Sequence, residues 1–219
     1  MNRTYQSILD ELYSLANPAN VAGMVHYGIS STNTLGISNK ELHRIAKGIK
    51  DHRLAQQLWD SGIHEARKLA GMVDNPKEVT SEQMESWVSE IDSWDICDDL
   101  CGNLFDKTPF AMEKIRTWIL RDEEYVKRAG FVLMATTAVH NKKADDSLFL
   151  EFLQLIEFHA DDDRNFVKKA VNWALRQIGK RNTTLKALAL AVCYRLLDHE
   201  SRGARWAAKD AIKELEARK

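Results

Sequence analysis

The 219 residues are enough for one domain or two small ones; a 44% hydrophobic and 29% charged composition with only 3 Pro excludes a disordered chain. No run approaches the roughly 18 apolar residues of a membrane span, and the first residues lack the apolar core of a signal peptide. The net charge of -1 hides a division: residues 164–219 hold 14 Lys and Arg against 5 Asp and Glu, and residues 1–163 hold 17 against 27. That asymmetry either steers a polyanion to one half or reflects outer faces of opposite sign.

In chain order, Ile8, Leu12 and Leu15 predict an amphipathic helix over 4–15. Asn17-Pro18 opens a short helical piece to about Tyr27. Residues 28–37 are the least regular of the N-terminal half, because Ser30, Ser31, Thr32, Asn33 and Thr34 compete for backbone hydrogen bonds. Ser38 reads as an N-cap with Glu41 completing a capping box, ahead of Leu42, Ile45, Ala46 and Ile49 on one face. Asp51 caps a helix carrying Leu54, Ala55, Leu58 and Trp59; the next starts near Ile63 and stops before Asp74-Asn75-Pro76. Thr80 with Gln83 makes a second capping box before Met84, Trp87 and Val88. A helix from Trp94 to about Phe105 ends at the turn before Thr108-Pro109. Pro109 suits the first turn of the next helix, whose stripe is Met112, Ile115 and Ile119. Long helices follow at about 122–138, 146–159, 164–179, 184–197 and 202–217, and the short connections force neighbours antiparallel.

A faint echo runs through this pattern. Val126-Lys127-Arg128-Ala129 resembles Val167-Lys168-Lys169-Ala170, and Ala204-Arg205-Trp206-Ala207 more loosely resembles both; His64-Glu65-Ala66-Arg67-Lys68 is a weaker, earlier copy. Spacings near 40 residues belong to two-helix repeats of the HEAT type, which bury a continuous core only by stacking. The expected fold is all-α, a HEAT-like helical repeat superhelix (an α-solenoid) with a concave basic cleft, forming one domain over 1–219. An unrelated compact bundle is the alternative.

Four segments hold candidate chemistry. In Trp94-Asp95-Ile96-Cys97-Asp98-Asp99, Trp94 and Asp98 share a helix face, so an indole beside a carboxylate could hold a cation or an electron-poor sugar. The structural alternative is a core Trp with acidic residues at a helix start, where the dipole favours them. Lys169, Trp173 and Arg176 fall on one face in a run that also contains Lys180 and Arg181, suited to a phosphate backbone or to a solvated basic helix. Arg128 reads as a phosphate ligand or an inter-repeat salt bridge. Arg202 and Arg205 flank Gly203, where backbone could approach closely, or belong to an ordinary terminal repeat. Scattered histidines, Cys97 with Cys101 lacking a second ligand pair, and the absence of a Gly-rich phosphate loop give no support for a metal, ATP or NAD. The odd number of cysteines, with Cys193 the third, fits a reducing cytoplasm.

At these residues the chain resembles the bacterial DNA alkylation-repair glycosylases of the AlkD-like family. The resemblance runs from Asn17-Pro18 to about Leu215. It is carried by Leu35-Gly36-Ile37-Ser38, Trp94-Asp95-Ile96-Cys97-Asp98, Lys127-Arg128-Ala129 and Lys169-Ala170-Val171-Asn172-Trp173-Ala174-Leu175-Arg176 in that order. It implies a monomer that cradles alkylated duplex DNA and hydrolyses the N-glycosidic bond of cationic purines, N3-methyladenine and N7-methylguanine, without cofactor, metal or membrane. It implies Asp98 as the catalytic carboxylate, Trp94 and Trp173 as cleft tryptophans, and Tyr27 as a cleft tyrosine. Arg128 and Arg176 would bind the DNA backbone, with Lys169, Lys180, Arg181, Arg202 and Arg205 as further backbone contacts. An inactive nucleic-acid binder and a protein–protein scaffold are the alternative readings. Asn172 and Gly130 depart from the family pattern, which has a glycine and a small non-glycine residue at those positions.

Overall fold

The computed structural model describes residues 3–217. Among them are thirteen α-helices and one 3-10 turn, with no strand. The helices gather into two compact units, one ending at Thr108 and one beginning at Pro109.

The first unit holds α1 (Tyr5–Ser14), α2 (Pro18–His26), α3 (Asn39–Ala46), α4 (His52–Asp60), α5 (His64–Val73), α6 (Ser81–Ser89) and α7 (Trp94–Asn103), then a 3-10 turn (Phe105–Lys107). The predicted helix to Phe105 therefore tightens in its last turn. α5 lies at the centre, against α1, α3, α4 and α7. All of α5 but Arg67 is buried, including His64, Glu65 and Lys68. Three ionisable groups in one buried helix require partners, because an unpaired buried charge is strongly unfavourable. Their partners build the site described below.

Both predicted capping boxes are half made. Ser38 and Thr80 accept from the backbone amides of Glu41 and Gln83. The Glu41 carboxylate instead takes Arg44, and the Gln83 amide donates to Asp74 Oδ2 at 2.8 Å. For Gln83 a tertiary partner thus outbids the local one; for Glu41 a side chain three residues on in the same helix does. Pro109 also departs from expectation: Phe110 is the cap and Ala111 the first helical residue, so Pro109 precedes the helix.

The second unit holds α8 (Ala111–Trp118), α9 (Glu124–His140), α10 (Asp146–His159), α11 (Asn165–Gly179), α12 (Thr183–Leu197) and α13 (Arg202–Ala217). α11 packs between α9 and α13, and α10 packs against α12, so alternate helices form rows of repeated pairs. This is HEAT-like packing. The sequence echo falls on the row of α9, α11 and α13, where Ala129, Ala170 and Ala207 are wholly buried. Gly130 has a steric reason: a Cβ there would lie 2.7 Å from Ile119 Cγ2 and 2.9 Å from the Ile119 nitrogen. Asn172 is buried in the same row, its Nδ2 donating to the Ala207 carbonyl at 2.9 Å.

Candidate functional site: an acidic cavity and a basic helix row

In the first unit a cavity of about 480 Å³ opens between α2, residues 28–38 and the start of α7. Tyr27, Trp94 and Asp98 line it together, with Lys68, Asp95 and Asp99. Trp94 is the first residue of α7 and Asp98 stands one turn on, so the helix repeat puts both on one wall. Both are half-buried. The indole is fixed by its Nε1–H, which donates to the Tyr27 carbonyl at 3.0 Å.

The opposite wall is held by Glu65. Its buried carboxylate accepts the backbone amides of Leu35, Gly36 and Ile37 at 2.8, 2.7 and 3.2 Å. Gly36 has a φ of +78°, and a Cβ there would collide with the Asn17 carbonyl. Asn17 N–H in turn donates to Leu35 O at 2.7 Å, and Asn20 Nδ2 to Gly36 O at 2.9 Å. The Leu35-Gly36-Ile37-Ser38 string is thus the strap that seats α2.

Beneath the cavity, Lys68 is 5% exposed. Its Nζ lies 2.8 Å from Asp95 Oδ2 and 3.3 Å from Asp99 Oδ2. Asp95 also accepts from Ser93 Oγ at 2.8 Å and meets His64 Nε2 at 2.9 Å. Burial pushes the Asp95 carboxyl upward, but the hydrogen bond from His64 and the charge of Lys68 outweigh it and hold Asp95 well below the usual carboxylate range. An ionised carboxylate only accepts, so His64 Nε2 carries the proton of that bond. For Asp99 burial wins over the attraction of Lys68, and its pKa is raised. Burial alone would lower the Lys68 pKa; the two carboxylates overcome it and raise the pKa instead.

In the second unit the predicted cations divide. Lys169 and Arg202 are exposed on α11 and α13, and Trp173 is half-buried on α11. Arg176 and Lys180 both pair with Glu214 of α13. Arg181 is committed to structure, donating to the carbonyls of Ala138, Asn141 and Ala144 with its guanidinium 3.9 Å above Phe149. Arg205 donates to the carbonyls of His199 and Glu200. Arg128 is 5% exposed and its Nη1 donates to Phe166 O. That makes it a tie between α9 and α11, buried where a surface phosphate ligand is expected. For Arg181 and Arg205 the physical reason is common: a guanidinium offers five donors, and the C-terminal end of a helix offers unsatisfied carbonyls close by.

A family model described as DNA alkylation repair enzyme matches residues 8–215. The chain belongs to the DNA alkylation repair enzyme family. Two relatives, the uncharacterized proteins Lmo0209 of Listeria monocytogenes and Lin0241 of Listeria innocua, are each 26% identical over 133 residues, 58% of this chain. The match spans 59% of the length of each relative. A solved structure from a family related to the HEAT-like repeat DNA glycosylases, with affinity for branched DNA structures, gives a TM-score of 0.81 at 17% identity. That match covers 98% of this chain and 95% of the other. At that identity the likeness is one of fold.

The sequence singles out Tyr27, Trp94 and Asp98 but not their supports. Lys68, His64 and Glu65 stood out only as a weak repeat copy. On a helix His64, Glu65 and Lys68 share one arc opposite Ala66 and Ala70, the pattern of an ordinary solvent-facing side, so the sequence holds no signal that all three are buried. Among the described residues, no group of three or more potential ligands is arranged to hold a metal ion.

Proposed function

We propose that this chain is a DNA glycosylase that hydrolyses the N-glycosidic bond of cationic alkylated purines, N3-methyladenine and N7-methylguanine, in duplex DNA. The observation that carries the reading is the meeting of Asp98, Trp94 and Tyr27 on one cavity. Alkylation makes the base a good leaving group, and its departure puts positive charge on the deoxyribose. Asp98 stabilises that charge and positions the attacking water. At about 4 Å and an effective dielectric near 20, one such attraction is on the order of 4 kcal/mol, roughly a thousandfold in rate. Trp94 packs against the sugar; in the second unit Trp173 packs against DNA backbone. Lys169, Arg176, Lys180 and Arg202 hold phosphates, while Arg128, Arg181 and Arg205 position the helices that present them. The scheme uses no metal or cofactor.

The test is release of 7-methylguanine from a methylated duplex. Asp98→Asn lowers release by at least about a hundredfold and leaves duplex binding intact. Equal release by variant and parent removes Asp98 from the chemistry. A second reading, binding of DNA without base release, is favoured by the fold likeness to a protein from a family with affinity for branched DNA. Salt-dependent DNA binding with no release from the parent moves the chain to that reading. No DNA affinity at low salt leaves a protein–protein scaffold.

A further inference from the structure

Trp206 belongs neither to the core of the second unit nor to the proposed hydrolysis. Among the described residues, which include all six tryptophans, it alone is open to solvent, at 41% exposure. Trp59, Trp87 and Trp118 are buried, and Trp94 and Trp173 are half-buried. α13 packs on α11 and α12 through its other side, where Ala204, Ala207, Ala208, Ala211 and Leu215 are buried.

One exposed apolar side chain is ordinary; the surroundings of this one are not. Arg202, Trp206, Lys209 and Lys213 stand at i, i+4, i+7 and i+11, so they form one stripe along α13, and all four are exposed. From α11, Lys168 brings its Nζ to 5.4 Å from the centre of the indole ring. The carboxylates of α13 leave the stripe basic. Glu214 pairs with Arg176 and Lys180, and Glu216 accepts from the Tyr194 hydroxyl. Lys209 and Lys213 have no ion pair among the described residues. In the register that superposes the buried Ala129, Ala170 and Ala207, Trp206 stands where α11 has Lys169 and α9 has Arg128. The last repeat thus puts a flat apolar ring where the earlier copies put a cation.

An aromatic face among cations suits a ligand that is flat and anionic, and it repels a cationic one. A nucleotide has both properties. Bases stacked on aromatic side chains, with phosphates held by cations, are the general mode of single-strand binding. A paired base inside a duplex cannot use such a ring, because stacked neighbours cover both its faces; an unpaired base can. The stripe from Arg202 to Lys213 runs about 16 Å, enough for several phosphates at about 3.4 Å per stacked nucleotide.

We propose that α13 carries a second nucleic-acid site, a platform for an unpaired stretch of DNA strand. One base stacks on Trp206, and flanking phosphates lie on Lys168, Lys209 and Lys213. Arg202, at the head of the stripe, serves both this site and the duplex. The platform rests on the DNA-binding part of the proposed function and not on base release.

The experiment is fluorescence-polarisation titration of the whole chain against labelled oligothymidine about ten nucleotides long, within the usual site size of single-strand binders. An abasic strand of the same length and charge and a duplex of the same length are titrated alongside, and release of 7-methylguanine from methylated duplex is measured in parallel. The parent binds oligothymidine at least about fivefold more tightly than the abasic strand. Trp206→Leu removes that preference and leaves the salt slope, the duplex affinity and the melting temperature nearly unchanged; Trp206→Phe retains most of the preference. Lys209→Ala weakens binding of both single strands and lowers the salt slope by about 0.7. No oligothymidine binding at low salt, equal affinity of the parent for the two single strands, or a preference that survives Trp206→Leu overturns the platform. An equal loss on oligothymidine and duplex in Trp206→Leu overturns it too, because the indole then serves paired DNA. Base release without oligothymidine binding overturns the platform and leaves the glycosylase reading standing. Preference for oligothymidine without base release supports the platform and sinks the glycosylase reading.

Discussion

Lys68 shows how one side chain can govern a site without being its reactive group. It bridges Asp95 and Asp99 at 2.8 and 3.3 Å inside the first unit. Removing it in Lys68→Met leaves those carboxylates buried without their ammonium, a loss of about 3–5 kcal/mol for a broken buried pair. The pH signature follows from the signs. In the parent, Asp95 is held low, so its stabilisation is present above the unfolded carboxylate range and lost only in strong acid. Asp99 is held high, so its contribution favours folding at low pH and weakens as pH rises through the raised value. Without Lys68 Asp95 keeps its bond from His64, but Asp99 loses the main charge that opposes burial and is pushed further upward. Urea titrations should therefore find Lys68→Met more stable in mild acid than at neutral pH. A loss of stability that is constant over this range contradicts the pairing.

At the scale of elements, the decisive contacts are close approaches that small residues permit. α8 meets α9 at Gly130, where the nearest atoms include the backbone nitrogen of Ile119. Backbone cannot swing aside as a long side chain can. Gly130→Ala should destabilise the second unit by roughly 1–3 kcal/mol through overpacking, although alanine is the better helix former by about 1 kcal/mol. Unfolding followed by helical circular dichroism tests this; a stabilised variant would show that the two helices separate easily. The buried alanines of α9, α11 and α13 express the same constraint along the repeat.

At the scale of the whole molecule, charge is divided along the chain, and much of the positive half is already occupied. Arg176 and Lys180 share Glu214, so a phosphate must compete with an internal carboxylate for both. Glu214→Gln should tighten binding to any duplex and steepen the salt dependence, because two cations become available to displace counterions. Lys169, exposed on α11, behaves oppositely: Lys169→Ala should weaken binding and reduce the salt slope by about 1. Affinity measured from low to moderate salt separates the two, and unchanged slopes in both variants remove α11 from the phosphate contacts.

The sequence by itself determined the helices, their stacking in pairs and the family. These depend on local periodicity, caps and spacing, as the 17-residue α9 and 15-residue α11 show. It also put Trp94 and Asp98 on one face, because a helix repeat is local. Tertiary structure alone decided the division into two units, the burial of Arg128 and the diversion of the capping-box side chain of Gln83 to Asp74. It alone turned His64, Glu65 and Lys68 into the frame of a cavity. A side chain's nearest neighbours along the chain set its helix; which distant donor or acceptor satisfies its charge is fixed only when the helices pack.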